Sequence, residues 1–138
     1  MRRFLPLDVD LGILVLRLAL AGVLLYHGIP KIANFAAVTG FMQSLGLPAP
    51  ALVTAWSILV EVGGGLLLML GVAVDLAAAA VAIQMIGAIA TVHWSKGFDF
   101  TQGGWEHPFT VLVMALAVGL AGAGRYAMAR ADRPAKRV

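Results

Sequence analysis

Cysteine is absent from the 138-residue sequence. The chain by itself therefore cannot form a disulfide, supply a thiolate nucleophile, or hold a metal ion or an iron–sulfur cluster through cysteine ligands. Any thiol chemistry must belong to a partner protein.

Charge is also scarce, because only 12% of the residues are charged while 61% are hydrophobic. Soluble domains contain about 45–50% apolar and about 25% charged residues, so this composition predicts a membrane protein in contact with lipids. The length suits one domain that covers residues 1–138. The net charge of +3 comes mostly from the two chain ends rather than from a basic patch, so nucleic acid is not an expected partner.

The apolar residues fall into four segments, each near the ~20 residues that a helix needs to cross a membrane. The segments are approximately 11–28, 51–70, 76–94 and 108–124. They predict an all-α fold, an integral membrane four-helix bundle followed by a basic cytoplasmic tail over 125–138. A cleaved signal peptide is the alternative for the first segment, but Arg17 interrupts its apolar run and argues against cleavage.

The basic residues indicate how the bundle is oriented. Those assigned to the inner side lie before the first helix or after the fourth: Arg2, Arg3, Arg125, Arg130, Arg133, Lys136 and Arg137. The loops after the first and third helices contain only Lys31 and Lys96. The positive-inside rule then places both termini in the cytoplasm of a bacterial-type plasma (inner) membrane.

The connection between the first two long helices has a helical pattern of its own, from Asn34 to Leu45. Its apolar residues recur three or four positions apart, namely Phe35, Val38, Met42 and Leu45. Gly46 and Pro48 stop the pattern. The segment predicts a short amphipathic helix that lies in the outer membrane interface.

Three polar residues fall inside the apolar segments: Arg17, Glu61 and Gln84. Counted at 1.5 Å per residue from the inner helix ends, they lie at depths of ~9, ~15 and ~13 Å. A lone charge at such depth costs several kcal/mol, so we expect Arg17 to pair with Glu61 in an intramembrane polar layer that includes Gln84. The layer either fixes how the helices dock or handles protons or substrate.

A second polar set falls at the outer ends of the helices: His27, Lys31, His93 and Glu106. His27 and Lys31 share a helical face if the first helix continues past Pro30. We predict that the four side chains form a catalytic site on an outward-opening pocket. The alternative is that each is a solvated helix end. Metal or haem ligation is not favoured, since lone interfacial histidines are common.

His93 also raises a geometric question about the third helix. It lies nine residues after Gln84, which is half a turn out of phase on an ideal helix. Both residues can face inward only if the helix bends or ends early.

Several motifs together resemble the DoxX family of small four-helix membrane proteins, from Leu11 to Gly124. They are "LRLALAGVLLYHGIPKI", "GLPAP", "EVGGGLLLMLG", "HWSKGFDF" and "GGWEH". The residues that match the family pattern are Arg17, His27, Lys31, Glu61, His93 and Glu106. The resemblance implies a place in membrane redox biology, which in relatives includes thiosulfate-to-quinone oxidation and association with sulfur-transfer and superoxide-detoxifying partners.

Two classes of function fit these features. In the first, the protein is the membrane subunit of a quinone- or sulfur-linked redox system that works with a redox or sulfur-transfer partner. A quinone is then a candidate cofactor, with Lys31 attracting an anion and the histidines exchanging protons. In the second, it is a non-enzymatic scaffold or small transport module. A small-residue stripe of Ala115, Gly119 and Ala123 packs either within the bundle or against a second copy in a homo-oligomer.

Overall fold

The computed structural model describes residues 8–129, most of which are helical, and these residues contain no strand. The helices are α1 (Val9–Ala33), α2 (Phe35–Ser44), α3 (Pro50–Leu70), α4 (Val74–Lys96) and α5 (Glu106–Ala121). By length and apolar composition α1, α3 and α4 can each cross a membrane, and α5 is a shorter apolar helix of 16 residues. The predicted all-α membrane bundle, with a short helix between the first two long ones, is confirmed.

Helix α1 is longer than the predicted segment 11–28, because it continues through Pro30 to Ala33. A proline removes one helical hydrogen bond, and here it does so in the last turn, where few bonds remain to be lost. Asn34 closes the helix by donating its side-chain amide to the Pro30 carbonyl at 2.9 Å and its backbone N–H to the same oxygen at 3.2 Å. His27 and Lys31 therefore lie on one continuous helix.

Glycines bring α1 and α3 into close contact. A Cβ atom at Gly28 would lie 2.7 Å from the Glu61 Cβ, and one at Gly65 would lie 3.1 Å from the Leu25 Cγ. Gly71, at the end of α3, lies against the Arg17 guanidinium. The two antiparallel helices thus have a defined register, in which Gly28 is level with Glu61 and Arg17 is level with the far end of α3.

Small residues also line the contact between α4 and α5. A Cβ at Gly119 would lie 3.3 Å from the Ala78 Cβ, and Ala115 is fully buried. Ala115 and Gly119 of the small-residue stripe therefore pack within the bundle. Large apolar side chains face outward instead, as expected of helices in lipid, with Leu76 and Leu120 among the most exposed.

Two π-helical turns interrupt the long helices. One spans Leu59–Gly64 in α3 and the other spans Ile89–His93 in α4. A π turn holds more residues than an α turn, so it rotates the residues that follow relative to those before. In α4 this rotation, rather than the expected bend or early end of the helix, lets Gln84 and His93 line the same cavity.

The last described segment folds back onto the start of α1. Helix α5 ends at Ala121, three residues before the predicted end, because Gly122 adopts a positive φ of 77°. Beyond it, the Arg125 guanidinium pairs with Asp8, and its backbone N–H donates to Asp10 at 3.0 Å. Most of the predicted tail, including Arg130, Arg133, Lys136 and Arg137, lies outside the described residues, as do Arg2 and Arg3.

Candidate functional site

A cavity of about 600 Å³ lies at the end of the bundle where α1 ends and α3 begins, here called the cavity end. All five helices contribute to its walls. The walls are mostly apolar, and α2 supplies one of them through Val38, Phe41 and Met42. Thr39 ties this helix to α3, since its hydroxyl donates to the Thr54 hydroxyl at 3.1 Å. The predicted amphipathic helix therefore helps to enclose the cavity.

The buried end of the cavity contains a charged cluster centred on Glu61, which is 5% exposed. The Lys31 ammonium donates to Glu61 Oε1 at 2.7 Å and to the Ser57 hydroxyl at 2.7 Å. The Gln84 side-chain amide donates to the same Oε1 at 2.8 Å. Because α1 continues past Pro30, the lysine side chain can reach back along the helix to this carboxylate and compensate its charge.

Two oxygens of this cluster have no hydrogen-bond partner among the residues that the structure describes, namely Glu61 Oε2 and Gln84 Oε1. A carboxylate only accepts hydrogen bonds, so Gln84 must turn its amide nitrogen toward Glu61 and leave its own oxygen unpaired. A buried acceptor without a donor costs about 1–3 kcal/mol. The cluster is therefore incomplete in its hydrogen bonding.

Arg17 does not join this cluster, so the predicted Arg17–Glu61 pair is wrong. The guanidinium is fully buried, and it donates to the backbone carbonyls of Ala123 and, at 3.4 Å, Tyr126. The depth estimate assumed that α1 and α3 end at the same level, whereas the glycine contacts shift them relative to each other. Arg17 and Lys31 are 14 residues apart on α1, which is about 21 Å. The predicted polar layer is thus divided between two ends of the bundle.

All three histidines of the chain line the cavity: His27, His93 and His107. The rings of His27 and His107 have centroids 5.0 Å apart. His93 Nδ1 lies 2.7 Å from the Gly103 carbonyl, which can only accept, so Nδ1 carries the proton and Nε2 is an acceptor in the neutral ring. No group of three acidic or histidine side chains within residues 8–129 is placed to hold a metal ion.

Glu106 lies apart from the cavity, contrary to the predicted convergence with His27 and His93. Its Oε2 accepts a hydrogen bond from the Phe100 backbone N–H at 3.3 Å, and it thereby holds the loop before α5. The neighbouring residue His107 takes the cavity position instead. Adjacent residues on a helix point about 100° apart, so Glu106 and His107 face different directions, and the pattern of charges did not indicate which of them lines the cavity.

The loop that Glu106 holds is fixed by aromatic packing around Trp105. The Trp105 ring lies 6.0 Å from that of Trp94 and 4.6 Å from that of Phe98. Gly104 allows the tight turn, since a Cβ there would lie 2.3 Å from the Gly97 carbonyl oxygen. The loop thus fixes Gly103, whose carbonyl orients His93.

Comparison with known proteins gives two matches and one negative result. The chain is 30% identical over 114 residues to a protein of Bacillus subtilis (strain 168) named "Putative oxidoreductase CatD", and the alignment covers 82% of this chain and 81% of that protein. No solved structure matches the chain. The DoxX family model matches residues 12–94, which include Lys31, Glu61 and Gln84. With more than half of its length matched, the chain belongs to the DoxX family.

Proposed function

We propose that this protein is the membrane subunit of a redox system and that its cavity binds a quinone-type ligand. The observation that carries the proposal is the cavity of about 600 Å³, with mostly apolar walls and the Lys31–Glu61 ion pair at its buried end. Small-molecule sites typically measure about 300–1,000 Å³ and combine apolar walls with a few placed polar groups. A substituted ring with an apolar tail suits such a site, whereas a small inorganic anion leaves most of the apolar wall uncovered.

The cavity residues divide into two groups with different roles in this proposal. Lys31, Glu61 and Gln84 hold the polar head of the ligand at the buried end. His27, His93 and His107 exchange protons with it, because an imidazole ring can both accept and donate a proton through its nitrogens. The histidines and the buried cluster together supply binding and proton transfer.

Electrons in this proposal pass between the ligand and a partner redox or sulfur-transfer protein. The name of the Bacillus subtilis relative, which contains the word oxidoreductase, supports a redox role. Because the chain has no cysteine, a sulfur-linked version of the reaction places the thiol chemistry on the partner.

The test is to purify the full chain in mild detergent and to identify co-purified quinones by mass spectrometry. Gly87 lines the cavity and has open space where a side chain would lie, so Gly87→Leu should fill the cavity and remove the quinone. Gly22→Leu is the matched control, since Gly22 also has open space but does not line the cavity. If the unmodified protein carries no quinone and binds none when it is added, the scaffold or transport alternative replaces this proposal.

We also propose that the cavity end faces outward from a bacterial plasma membrane, with both termini in the cytoplasm. The distribution of basic residues along the sequence supports this orientation. Asp75 and Lys96 lie near opposite ends of α4, and the chain has no native cysteine to interfere with labelling. In intact cells a membrane-impermeant thiol reagent should label Lys96→Cys, and it should label Asp75→Cys only after permeabilisation. The reverse pattern would invert the orientation.

A further inference from the structure

We infer that the cavity selects a ligand head that donates hydrogen bonds, so that it binds the hydroxyl-bearing hydroquinone form more tightly than the quinone. The inference rests on the function proposed above and deepens it by naming the form of the ligand that is preferred. It follows from the hydrogen-bonding state of the buried cluster.

The first observation is that the donors around Glu61 all meet one of its two oxygens. Lys31 Nζ and Gln84 Nε2 reach Oε1 at 2.7 and 2.8 Å, and the Ser57 hydroxyl lies 3.5 Å from the same atom. Glu61 Oε2 receives no hydrogen bond from any described residue. The carboxylate therefore has its charge compensated on one side and an unused acceptor on the other.

The second observation is that Gln84 and His93, which line the cavity with Glu61, also present unengaged acceptors. Gln84 Oε1 is buried without a partner within the described part of the chain. His93, which also lines the cavity, uses its Nδ1 proton on the Gly103 carbonyl, and in the neutral ring this leaves Nε2 as an acceptor. The Lys31 ammonium donates two of its three N–H groups to oxygens of this cluster, which leaves one of its own donors beside the two unpaired acceptors.

The quinone and the hydroquinone differ in whether they can donate hydrogen bonds to these acceptors. Quinone carbonyls only accept hydrogen bonds, so a bound quinone leaves Glu61 Oε2 and Gln84 Oε1 without donors. A hydroquinone carries two hydroxyl groups that can donate to such acceptors, and sites built to bond a hydroxyl strongly disfavour analogues that lack it. A water molecule is the competing donor, since buried waters commonly satisfy such groups.

The experiment measures dissociation constants of the full chain in detergent for three short-tailed probes with the same ring. They are the quinone, the hydroquinone kept reduced under anaerobic conditions, and a deoxy analogue in which hydrogen replaces one hydroxyl. Trp56 lines the cavity, so quenching of tryptophan fluorescence reports binding. We expect the hydroquinone to bind about tenfold more tightly than either of the other two probes. Since tighter binding of the reduced form raises the potential, the bound couple should shift upward by about 30 mV.

Glu61→Gln sharpens the test, because it can turn an amide donor toward the ligand in place of the unpaired oxygen. The Glu61→Gln variant should then bind the hydroquinone and the quinone about equally. Asp75→Asn also replaces a carboxylate with an amide, but at an exposed residue away from the cavity, so this control should keep the preference. The probe series on the unmodified protein stands even if Glu61→Gln does not fold.

Three results would overturn the inference, and only one of them also overturns the proposed function. Equal binding of the hydroquinone and its deoxy analogue means that water satisfies the acceptors, and tighter binding of the quinone means that donors dominate the site. Both of these leave the proposed quinone site standing. Binding of none of the three probes removes the inference together with the proposed function.

Discussion

The two ends of the bundle each bury a charged side chain from α1, yet they treat it differently. At the cavity end, Lys31 meets a carboxylate in a cluster that borders an open cavity and retains unpaired acceptors. At the opposite end, here called the Arg17 end, the guanidinium meets the backbone carbonyls of Ala123 and Tyr126, keeps its Nε without a partner among the described residues, and lines no part of that cavity. Arg17 thus joins α1 to the segment that follows α5, whereas Lys31 and Glu61 line a cavity where a ligand can reach them.

The largest effect is expected for Lys31→Met, which leaves the buried Glu61 carboxylate without its cation. Breaking a buried ion pair from one side is strongly destabilising, so we expect the free energy of unfolding to fall by about 3 kcal/mol. The double variant Lys31→Met/Glu61→Met should be more stable than Lys31→Met alone, because it strands no charge. Equilibrium unfolding in mixed detergent micelles measures both, and a less stable double variant would contradict the pairing.

Arg17→Met should have the next largest effect on the free energy of unfolding. It tests whether the Arg17 end contributes to stability without affecting ligand binding at the cavity end. The carbonyls of Ala123 and Tyr126 lose their donor, so we expect a loss of about 2 kcal/mol in the free energy of unfolding. The amount of co-purified quinone should stay unchanged, whereas Lys31→Met should lose it. Loss of the quinone from Arg17→Met would show that the ends act together.

Gly28→Ala tests the close contact that sets the register of α1 and α3. The added Cβ would overlap the Glu61 Cβ, so we expect the helices to separate at a cost of about 1–2 kcal/mol. Gly22→Ala is the matched control on the same helix, because a Cβ there meets nothing within 4 Å. Equal melting temperatures of the two variants in detergent would argue against a register fixed at Gly28.

The smallest effect is expected at the Arg17 end, from the exposed pair of Asp8 and Arg125. The backbone N–H of Leu11 lowers the pKa of Asp8, burial opposes this, and the Arg125 guanidinium adds to the lowering. A lowered carboxyl pKa stabilises the fold at higher pH, and the contribution is lost as the pH falls through the folded value. Asp8→Asn should therefore melt slightly below the unmodified protein at pH 6 and together with it near pH 2. A constant difference at both pH values would contradict the assignment.

The helices themselves could be predicted from the sequence. Apolar run length predicted the long helices, and three-and-four spacing predicted α2, which the structure places over Phe35–Ser44. The candidate site could be predicted in part, since the structure brings His27, Lys31 and His93 to one cavity. Their catalytic role stays a prediction.

The partners of the buried charges could not be predicted in the same way. Arg17 and Glu61 lie at similar distances from the predicted inner ends of their helices, so the depth estimate predicted that they pair. The selection of His107 rather than Glu106 depended on the rotation of α5, which the neighbouring pair of polar residues leaves open.

The sequence by itself determined that this is a helical membrane protein, because hydrophobic run length and helical spacing are local properties of the chain. Only the tertiary structure decided which polar groups meet. Lys31 pairs with Glu61 because Gly28 lets α1 approach α3 closely at that level, and Gln84 and His93 face one cavity because a π turn rotates the end of α4. Register and rotation arise from packing between helices, which no local pattern records.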